Sequence, residues 1–340
     1  MVEPQTAEIR RTNLSTQNDM TAVLVTVDTE LSPAAHRRDV SAEENHACAI
    51  LGRVPDGEWG IEFQLRQFEK HGLKAVFFVE ALSANVTGLD FLKRTIDPIL
   101  TAGQEVQLHI HTEWLEWFPS DPVSARRGQN MCDFNFADQR QLIALGVENL
   151  TRAGAPRPVA FRAGNYGANN DTLLALANEG ITYDSSYNFA YLSDPCRITT
   201  QEPLFGPVEL DGTIEIPIST FVDYPRHQRP AQLCAISSSE MQLLLGQTLA
   251  QNRPPAIVVS HSFELLNRAR TRGNPIVVRR FERLCEALSA LRGRMPTCGF
   301  ADLDPKNLAG VGARVQPVKS QAWRTALRIA EQAAGTILYG

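Results

Sequence analysis

The sequence predicts an α/β fold in which parallel strands alternate with helices, either as a barrel or as a doubly wound sheet. Short, β-branched apolar runs of strand length recur along the chain, and such runs suit a parallel sheet that helices cover. Segments of about ten or more residues with apolar side chains at helical spacing separate these runs. No Gly-x-Gly-x-x-Gly opens a helix after the first strand, so a dinucleotide-binding sheet is not expected.

The predicted strands and helices follow one another in a regular order. The first strand, 22–27, leads into a polar segment, 31–57, that we expect to be a loop. The first helix covers 60–71, with apolar residues at helical spacing, and stops at Gly72. Further strands are predicted at 74–81, 105–110, 158–162, 181–186, 214–219 and 256–260, and further helices at 88–102, 138–153, 171–179, 239–250 and 278–292.

Composition and charge indicate an ordinary globular protein. The 340 residues carry a net charge of −5 without a clustered basic stretch, so nucleic-acid partners are not expected. No run of about 18 apolar residues is present, so no transmembrane segment is expected. The six cysteines form no Cys-x-x-Cys pair, and the first 20 residues lack the apolar core of a secretory signal, so we expect a cytoplasmic protein.

Polar side chains follow the predicted strands at the point where each strand ends. They are Asp28 and Glu30, His109 and His111, Arg162, and Ser260 and His261. In parallel α/β barrels the carboxyl ends of the strands carry the active site. We therefore expect these side chains to form one site.

Two of these pairs are candidates for metal chemistry. Asp28 and Glu30 stand at i and i+2, so they point to the same side of a strand with Cα atoms about 6.6 Å apart. One carboxylate could bind a metal while the other acts as a base on the metal's water. His109 and His111 share this geometry, and neutral imidazole is a common Zn²⁺ ligand. Glu113 could swing back toward the same point. The alternative for each pair is that its side chains are merely solvated or hydrogen-bonded at the end of a strand and bind no metal.

Three further positions suit acid–base and oxyanion roles. Arg162 could orient Asp28 and hold it ionised, or form a surface ion pair. The turn at 164–167, which contains Tyr166, could aim a backbone N–H at a developing oxyanion. His261, with an ordinary pKa of about 6.5, could be the general acid for a leaving amine or a merely hydrogen-bonded histidine.

Taken in order, these pieces resemble the polysaccharide deacetylase family (carbohydrate esterase family 4, NodB-homology domain) over residues 22–305. The family's first motif, an Asp pair, is similar to VTVDTE, and its second strand to GLKAVFFVEA. Its first histidine-bearing motif is similar to AGQEVQLHIHTEW, and its arginine-bearing motif to FRAGNYG. The short fourth motif is similar to YDSS, and the last, histidine-bearing motif to VVSHS.

The resemblance implies a distorted (β/α)7 barrel and metal-dependent removal of an N-acetyl group from an amino sugar or glycan. It implies that Glu30 and His109 bind the metal. The family's other histidine ligand usually stands four positions after the first, where this chain has Glu113, so either Glu113 or His111 completes the site. Zn²⁺ is the expected cofactor, with Fe²⁺, Co²⁺, Ni²⁺ or Mn²⁺ as alternatives.

The resemblance also implies roles for the residues that move protons. Asp28 would be the general base, oriented by Arg162. The backbone N–H near Tyr166 would stabilise the oxyanion, and His261 would protonate the leaving amine.

Three other functions compete with this one. Glu113 in place of a histidine favours a catalytically inactive, glycan-binding barrel. A His-x-His amidohydrolase would carry its histidine pair on the first strand, whereas here the pair follows about the third strand. A serine hydrolase using Ser260 lacks the Gly-x-Ser-x-Gly elbow, and the adjacent His261 would point to the opposite face of the strand.

We expect three segments: a flexible tail at 1–20, the deacetylase-like barrel at 21–310 and an amphipathic helix at 311–340. The apolar stripe of that helix consists of Trp323, Leu327, Ala330, Ala334 and Leu338. Such a stripe is expected to pack on the parent domain or on a partner subunit, the latter giving a homo-oligomer. Docking on a membrane surface is the alternative.

Overall fold

The computed structural model describes residues 21–124, 128–225, 227–251, 254–309 and 315–339, with side chains described up to residue 335. The tail expected at 1–20 lies outside the described residues. Strands and helices are numbered below in chain order.

One large sheet organises the described part of the chain. In spatial order its eight strands are β12 (Ala256–His261), β1 (Val23–Thr29), β4 (Val76–Glu80), β5 (Glu105–Ile110), β6 (Ala160–Ala163), β7 (Tyr183–Asp184), β9 (Thr213–Glu215) and β8 (Val208–Leu210). All neighbouring strands are parallel except β8 and β9, which are antiparallel. The sheet curls into half a barrel, so the predicted distorted barrel is confirmed.

Helices and smaller sheets surround this half-barrel. The helices are α1 (Pro33–His36), α2 (Ala42–Ala49), α3 (Ile61–His71), α4 (Ala84–Thr87), α5 (Leu89–Thr101), α6 (Phe136–Arg152), α7 (Asn170–Asn178), α8 (Ser238–Ala250), α9 (Pro275–Leu291), α10 (Pro305–Leu308) and α11 (Ala322–Tyr339). The smaller sheets consist of β2 (Arg53–Val54) with β3 (Gly57–Glu58), and of β10 (Thr220–Tyr224) with β11 (His227–Pro230) and β13 (Val318–Lys319).

The alternation of side chains along the strands gives the sheet two apolar faces. On β1, Val23, Val25 and Val27 belong to the large core between sheet and helices, whereas Leu24 belongs to a smaller cluster inside the curl. The smaller cluster also contains Val76, Phe78, Ala160, Tyr183, Ile214, Ile257, Val259 and Phe300. Side chains on this inner face near the carboxyl ends of the strands therefore come together above the smaller apolar cluster.

The prediction of a loop over 31–57 is wrong, because this segment contains two helices and a hairpin, α1, α2 and β2–β3. A capping box begins α2, in which the Ser41 hydroxyl accepts from the backbone N–H of Glu44 at 3.2 Å. The helix buries the polar residues Asn45 and His46, so the segment has no apolar periodicity to reveal it.

Of the two packing partners expected for the C-terminal apolar stripe, the parent domain does not cover Trp323, Leu327 or Ala330. Trp323 and Leu327 are 56% and 43% exposed, and Ala330 is exposed too. The side chain of Leu338 lies outside the described part. Helix α11 instead buries Arg328, because its guanidinium bonds to acidic groups of the domain. No helix in the described ranges has both the length and the hydropathy needed to cross a bilayer.

Candidate active site

Strand register brings the predicted polar residues to one end of the sheet. Asp28 on β1 lies opposite His261 on β12, and His109 on β5 lies opposite Arg162 on β6. These four residues continue the inner face of their strands. Above them lies a pocket of about 730 Å³, lined in part by Asp28, Glu30, His109, His111, Glu113, Tyr166 and His261.

Glu30, His109 and His111 form a cluster that could bind a metal ion. One ligand atom from each residue lies within 4.8 Å of the other two. Glu30 Oε2 is 3.3 Å from His109 Nε2 and 2.5 Å from His111 Nε2. Two imidazoles with one carboxylate, open on the remaining side, form a ligand set found in catalytic zinc sites. The chemistry of these donors therefore fits the expected metal.

Each histidine of the cluster is oriented through its other ring nitrogen. His109 Nδ1 donates to the carbonyl oxygen of Arg162 at 2.7 Å, which leaves a lone pair on Nε2. His111 Nδ1 lies 3.1 Å from Glu113 Oε2. The other oxygen of Glu113 accepts from Asn165 Nδ2 at 3.2 Å. Glu113 thus contacts the far side of the His111 ring, and it does not belong to the three-residue cluster.

The electrostatics of the cluster favour an ionised carboxylate. Burial raises the pKa of Glu30, but the charge of His111 and the hydrogen bond from His111 outweigh burial and hold this pKa well below its ordinary value. Burial likewise lowers the pKa of His111, but the charge of Glu30 and hydrogen bonds to Glu113 and Glu30 raise it well above the ordinary value. An ionised Glu30 is the form that binds a cation.

Asp28 is held on the floor of the pocket by Arg162. Arg162 Nη1 donates to Asp28 Oδ1 at 2.5 Å and to Thr26 Oγ1 at 3.0 Å. Its Nε donates to the carbonyl of Ser185 at 3.1 Å, and its guanidinium carbon lies 4.3 Å from the centre of the Phe78 ring. The arginine is fully buried. It fixes one oxygen of Asp28 and leaves Oδ2 on the side of His261.

His261 lies opposite Asp28 and also contacts Glu264, an acid that was not predicted from the sequence. His261 Nε2 is 3.9 Å from Asp28 Oδ2, and His261 Nδ1 is 3.3 Å from Glu264 Oε2. Burial lowers the pKa of His261, but the hydrogen bond and charge of Glu264, with the charges of Asp28 and Glu30, raise it to about 9. His261 is therefore protonated at neutral pH, as a general acid must be.

The turn after β6 forms the side of the pocket next to His111. Asn165 and Tyr166 both have positive φ, 55° and 59°, a backbone conformation that clusters at functional sites. A Cβ on Gly164 would lie 2.7 Å from Cγ and Nδ1 of His111, so this ring is seated directly on the glycine. The Tyr166 hydroxyl is buried and has no hydrogen-bond partner among the described residues.

Glu264 could have been found from the sequence. The segment VVSHSFE places a carboxylate three residues after His261, within reach across one turn of chain. A second missed acid, Glu80 at the end of β4, accepts from the backbone N–H groups of Leu82 and Ser83 at 2.8 and 2.9 Å. Its burial raises its pKa despite these hydrogen bonds. It holds the chain turn beside His111 rather than lining the pocket.

Comparison with solved structures assigns the fold. A candidate polysaccharide deacetylase from Mycobacterium smegmatis matches with a TM-score of 0.54 and 16% sequence identity, over 89% of this chain and 94% of its own. The chain has the polysaccharide deacetylase fold. This confirms the predicted resemblance at the level of the fold. No protein-family model and no curated protein matches the sequence.

Other structures with the deacetylase fold align less well. A family 4 carbohydrate esterase from Streptomyces lividans, solved with acetate, has a TM-score of 0.41 and 11% identity over 86% of this chain and 97% of its own. A CE4-family pseudoenzyme from Bacillus anthracis has a TM-score of 0.36 and 12% identity over 82% of this chain and 62% of its own. Because one fold can carry unrelated functions, function has to be argued from the site.

Proposed function

We propose that this protein is a metal-dependent hydrolase that removes the N-acetyl group from an amino sugar or glycan. One observation carries the proposal: a cluster with the donors to bind a metal, an arginine-held carboxylate and a carboxylate-held histidine face the same pocket. The fold-level likeness to a candidate polysaccharide deacetylase supports this substrate class by analogy.

The metal would be held by Glu30, His109 and His111, with Glu113 orienting His111. A divalent cation there supplies Lewis-acid chemistry, polarising a carbonyl and lowering the pKa of a water. Two histidines and one carboxylate favour Zn²⁺, and Fe²⁺, Co²⁺, Ni²⁺ and Mn²⁺ are the alternatives. With His111 proposed as the third ligand, Glu113 in place of a histidine does not require an inactive binding module.

The proton transfers are assigned to two residues on opposite sides of the reacting bond. Hydrolysis forms a C–O bond to water, breaks the amide C–N bond and yields acetate and a free amine. Asp28, oriented by Arg162, accepts the proton of the attacking water. His261, protonated through Glu264, donates from Nε2 to the leaving nitrogen. The backbone N–H near Tyr166 is the proposed donor to the carbonyl oxygen.

Two further features accompany the proposal. All six cysteines lie in the described ranges and are free thiols, which supports the expected reducing, cytoplasmic environment. A pocket of about 730 Å³ is in the size range of small-molecule sites, so it suits a sugar or a segment of a glycan.

The proposal is tested by metal content and acetate release. Purified protein is analysed for bound metal and then assayed on a panel of N-acetylated sugars with each metal added singly. We expect His109→Ala to lose both metal and activity. A metal-free wild-type protein, with metal content unaffected by His109→Ala, would instead favour the glycan-binding module.

The role of His261 has a separate test. We expect His261→Ala to retain the metal but to lose about 10²–10⁴-fold in turnover, the size of a general acid–base contribution. His71→Ala, at the end of α3 and outside the pocket lining, is the matched control. Undiminished acetate release by the His261 variant would remove this residue from the mechanism.

A further inference from the structure

A built loop that carries three arginines stands at the rim of the pocket. This arginine loop, residues 266–273, is closed by a bridge between Leu266 and Gly273. Asn267 Oδ1 accepts two backbone N–H groups of the loop at 2.8 and 3.2 Å, and the Gly273 N–H donates to the Asp56 carboxylate. Its arginines are Arg268, Arg270 and Arg272. The loop is therefore held in place by specific hydrogen bonds.

Arg270 is the member of the loop that lines the pocket. Its guanidinium carbon lies 3.9 Å from the centre of the Phe263 ring, which is itself 5.3 Å from the His261 ring. Its backbone has φ 55°, a conformation that a non-glycine residue adopts at some cost. The contact with Phe263 and the backbone conformation of Arg270 together hold its guanidinium beside His261, the proposed general acid.

Arg270 has no charged partner in the described part of the chain. The other arginine in the pocket lining, Arg37, is paired with Glu116 at 2.6 Å. Arg162 below the pocket is fully engaged with Asp28. A guanidinium presents parallel N–H donors that match phosphate and carboxylate oxygens, so an unpaired arginine in a pocket favours an anionic ligand.

We propose that Arg270 binds an anionic group, a phosphate or a carboxylate, carried by the N-acetylated sugar. In this inference, the N-acetylated sugar rests on the proposed function, whereas the anionic group rests on the position of Arg270. It makes Arg270 a specificity residue that separates charged from neutral N-acetylated sugars.

The test measures binding rather than turnover. Isothermal titration calorimetry on chelator-treated, metal-free protein compares N-acetylglucosamine, N-acetylglucosamine 1-phosphate and N-acetylmuramic acid, so that no anion can bind through a metal. We expect at least one anionic probe to bind about tenfold or more tightly than the neutral sugar, as for hydrogen bonds to charged groups. The phosphate and carboxylate probes distinguish the two sources of charge.

The same titrations use two variants of the arginine loop. Arg270→Gln should abolish the preference for the anionic probe, whereas Arg268→Gln, which removes an exposed charge outside the pocket lining, should retain it. Equal wild-type affinities, no binding of either anionic probe, or a preference that survives Arg270→Gln overturns the inference. A preserved preference without acetate release would overturn the proposed function alone.

A second inference concerns α11, whose charged side chains all face the domain. Arg328 Nη2 donates to Asp223 Oδ2 at 2.7 Å, and its Nε donates to Glu240 Oε1 at 3.2 Å. Glu331 accepts from Arg280 at 2.7 Å. The helix is thus attached through its polar side.

The opposite side of α11 is apolar and exposed. Every exposed side chain between residues 322 and 335 is apolar: Ala322, Trp323, Ala326, Leu327, Ile329, Ala330 and Ala333. We call this set the apolar face of α11. Trp323, Leu327 and Ile329 are 56%, 43% and 55% exposed. A contiguous apolar patch of this kind marks an interaction site.

We infer that the apolar face of α11 packs against the same face of a second copy of this chain. The face carries no charge, so no like charges oppose each other when two copies of it meet about a twofold axis. Ala322, Ala326 and Ala330, one turn apart, allow a second helix to approach closely. A lipid surface is a poorer fit, because it is bound through cations that flank the apolar face, and Arg328 is buried while Arg324 donates to the Ser239 carbonyl.

Molar mass in solution tests this inference. Light scattering after size exclusion should give a dimer for the wild-type protein and a monomer for Leu327→Glu. Leu174→Glu is the matched control, because Leu174 is 42% exposed on α7 and should leave the dimer intact. A monomeric wild type, an unaffected Leu327→Glu dimer, or co-flotation of the wild type with phosphatidylglycerol vesicles overturns it.

Discussion

At the scale of single residues, each histidine of the candidate site is held through the ring nitrogen that its proposed role does not need. His109 and His111 use Nδ1 for the Arg162 carbonyl and for Glu113, and both present Nε2 to Glu30. Groups that bond to the other ring nitrogen of a ligand histidine set the tautomer and the orientation of its ring.

Glu264 is expected to set the alkaline limit of activity. A general acid works below its pKa, and His261 retains its proton up to a pKa of about 9 through Glu264. Glu264→Gln removes the charge that opposes burial, so the pKa should fall toward or below the ordinary 6.5. The alkaline limb of kcat/KM should move to lower pH by the same amount, with metal content unchanged. An unmoved limb in the pH–rate profile contradicts the role of Glu264.

Gly164 is expected to tune metal affinity without touching the metal. In Gly164→Ala the new methyl group would meet the His111 ring and displace it. We expect a loss of about 10- to 100-fold in metal affinity, as for other residues that support ligands. Gly246→Ala is the control, because a Cβ there meets no atom within 4 Å on the exposed side of α8. Equal metal affinities of the wild type and Gly164→Ala in competition titrations would show that His111 does not bind the metal.

At the scale of elements, strand parity decides which side chains reach the pocket. Asp28, His109, Arg162 and His261 all continue inner-face positions, so parallel pairing brings them together although as many as 233 positions separate Asp28 from His261. Ser260 lies on the opposite face, as expected for the residue directly next to His261 in a pleated strand. A serine hydrolase is therefore not supported by the geometry.

The ion pairs of Arg328 are expected to attach helix α11 to the rest of the domain. Arg328→Met leaves Asp223 and Glu240 buried with one cation fewer, and removing one member of a buried ion pair costs about 3–5 kcal/mol. We expect a lower melting temperature or early proteolytic release of the C-terminal segment. Arg283→Met, an exposed arginine on α9, should change neither. Equal stability of both variants would show that the ion pairs do not attach the helix.

At the scale of the whole molecule, the curl of the sheet buries a pair of acids that do not line the pocket. Asp184 on β7 and Glu215 on β9 lie opposite each other. Burial and the charge of Asp184 raise the pKa of Glu215 well above its ordinary value, and burial raises that of Asp184. Glu215 Oε2 has no other hydrogen-bond partner, so a proton on it can bridge to Asp184.

This pair is expected to make stability fall as pH rises. The unfolded chain releases the Glu215 proton near 4.5, whereas the folded protein retains it to higher pH, so the free energy of unfolding decreases between these two values. Glu215→Gln supplies a permanent N–H donor to Asp184 and should flatten this decrease in urea titrations across pH. Glu209→Gln, exposed on β8, is the control. Parallel wild-type and Glu215→Gln profiles would contradict the shared proton.

Much of the fold and the residue types of the site could be read from the sequence because they are local properties. Apolar runs with helices between them predicted the sheet, and polar residues at strand ends predicted Asp28, Glu30, His109, Arg162 and His261 as one site. Parallel strands carry their carboxyl ends to one edge whatever the details of packing. The missed α1 is a single capped turn of four residues and the missed α2 is a capped, largely polar helix, so neither has an apolar periodicity.

The sequence by itself thus determined the class of fold and which strand ends carry polar side chains, because the apolar pattern and the alternation of side chains along a strand are set within a few residues. Only the tertiary structure shows that His111, and not Glu113, lies in one cluster with Glu30 and His109, because this depends on how the chain turns after β5 and on a glycine 53 positions beyond His111. It alone decided which side of α11 faces the domain. Buried acids on β10 and α8 pair with Arg328, and pairing a buried charge outweighs covering an apolar stripe.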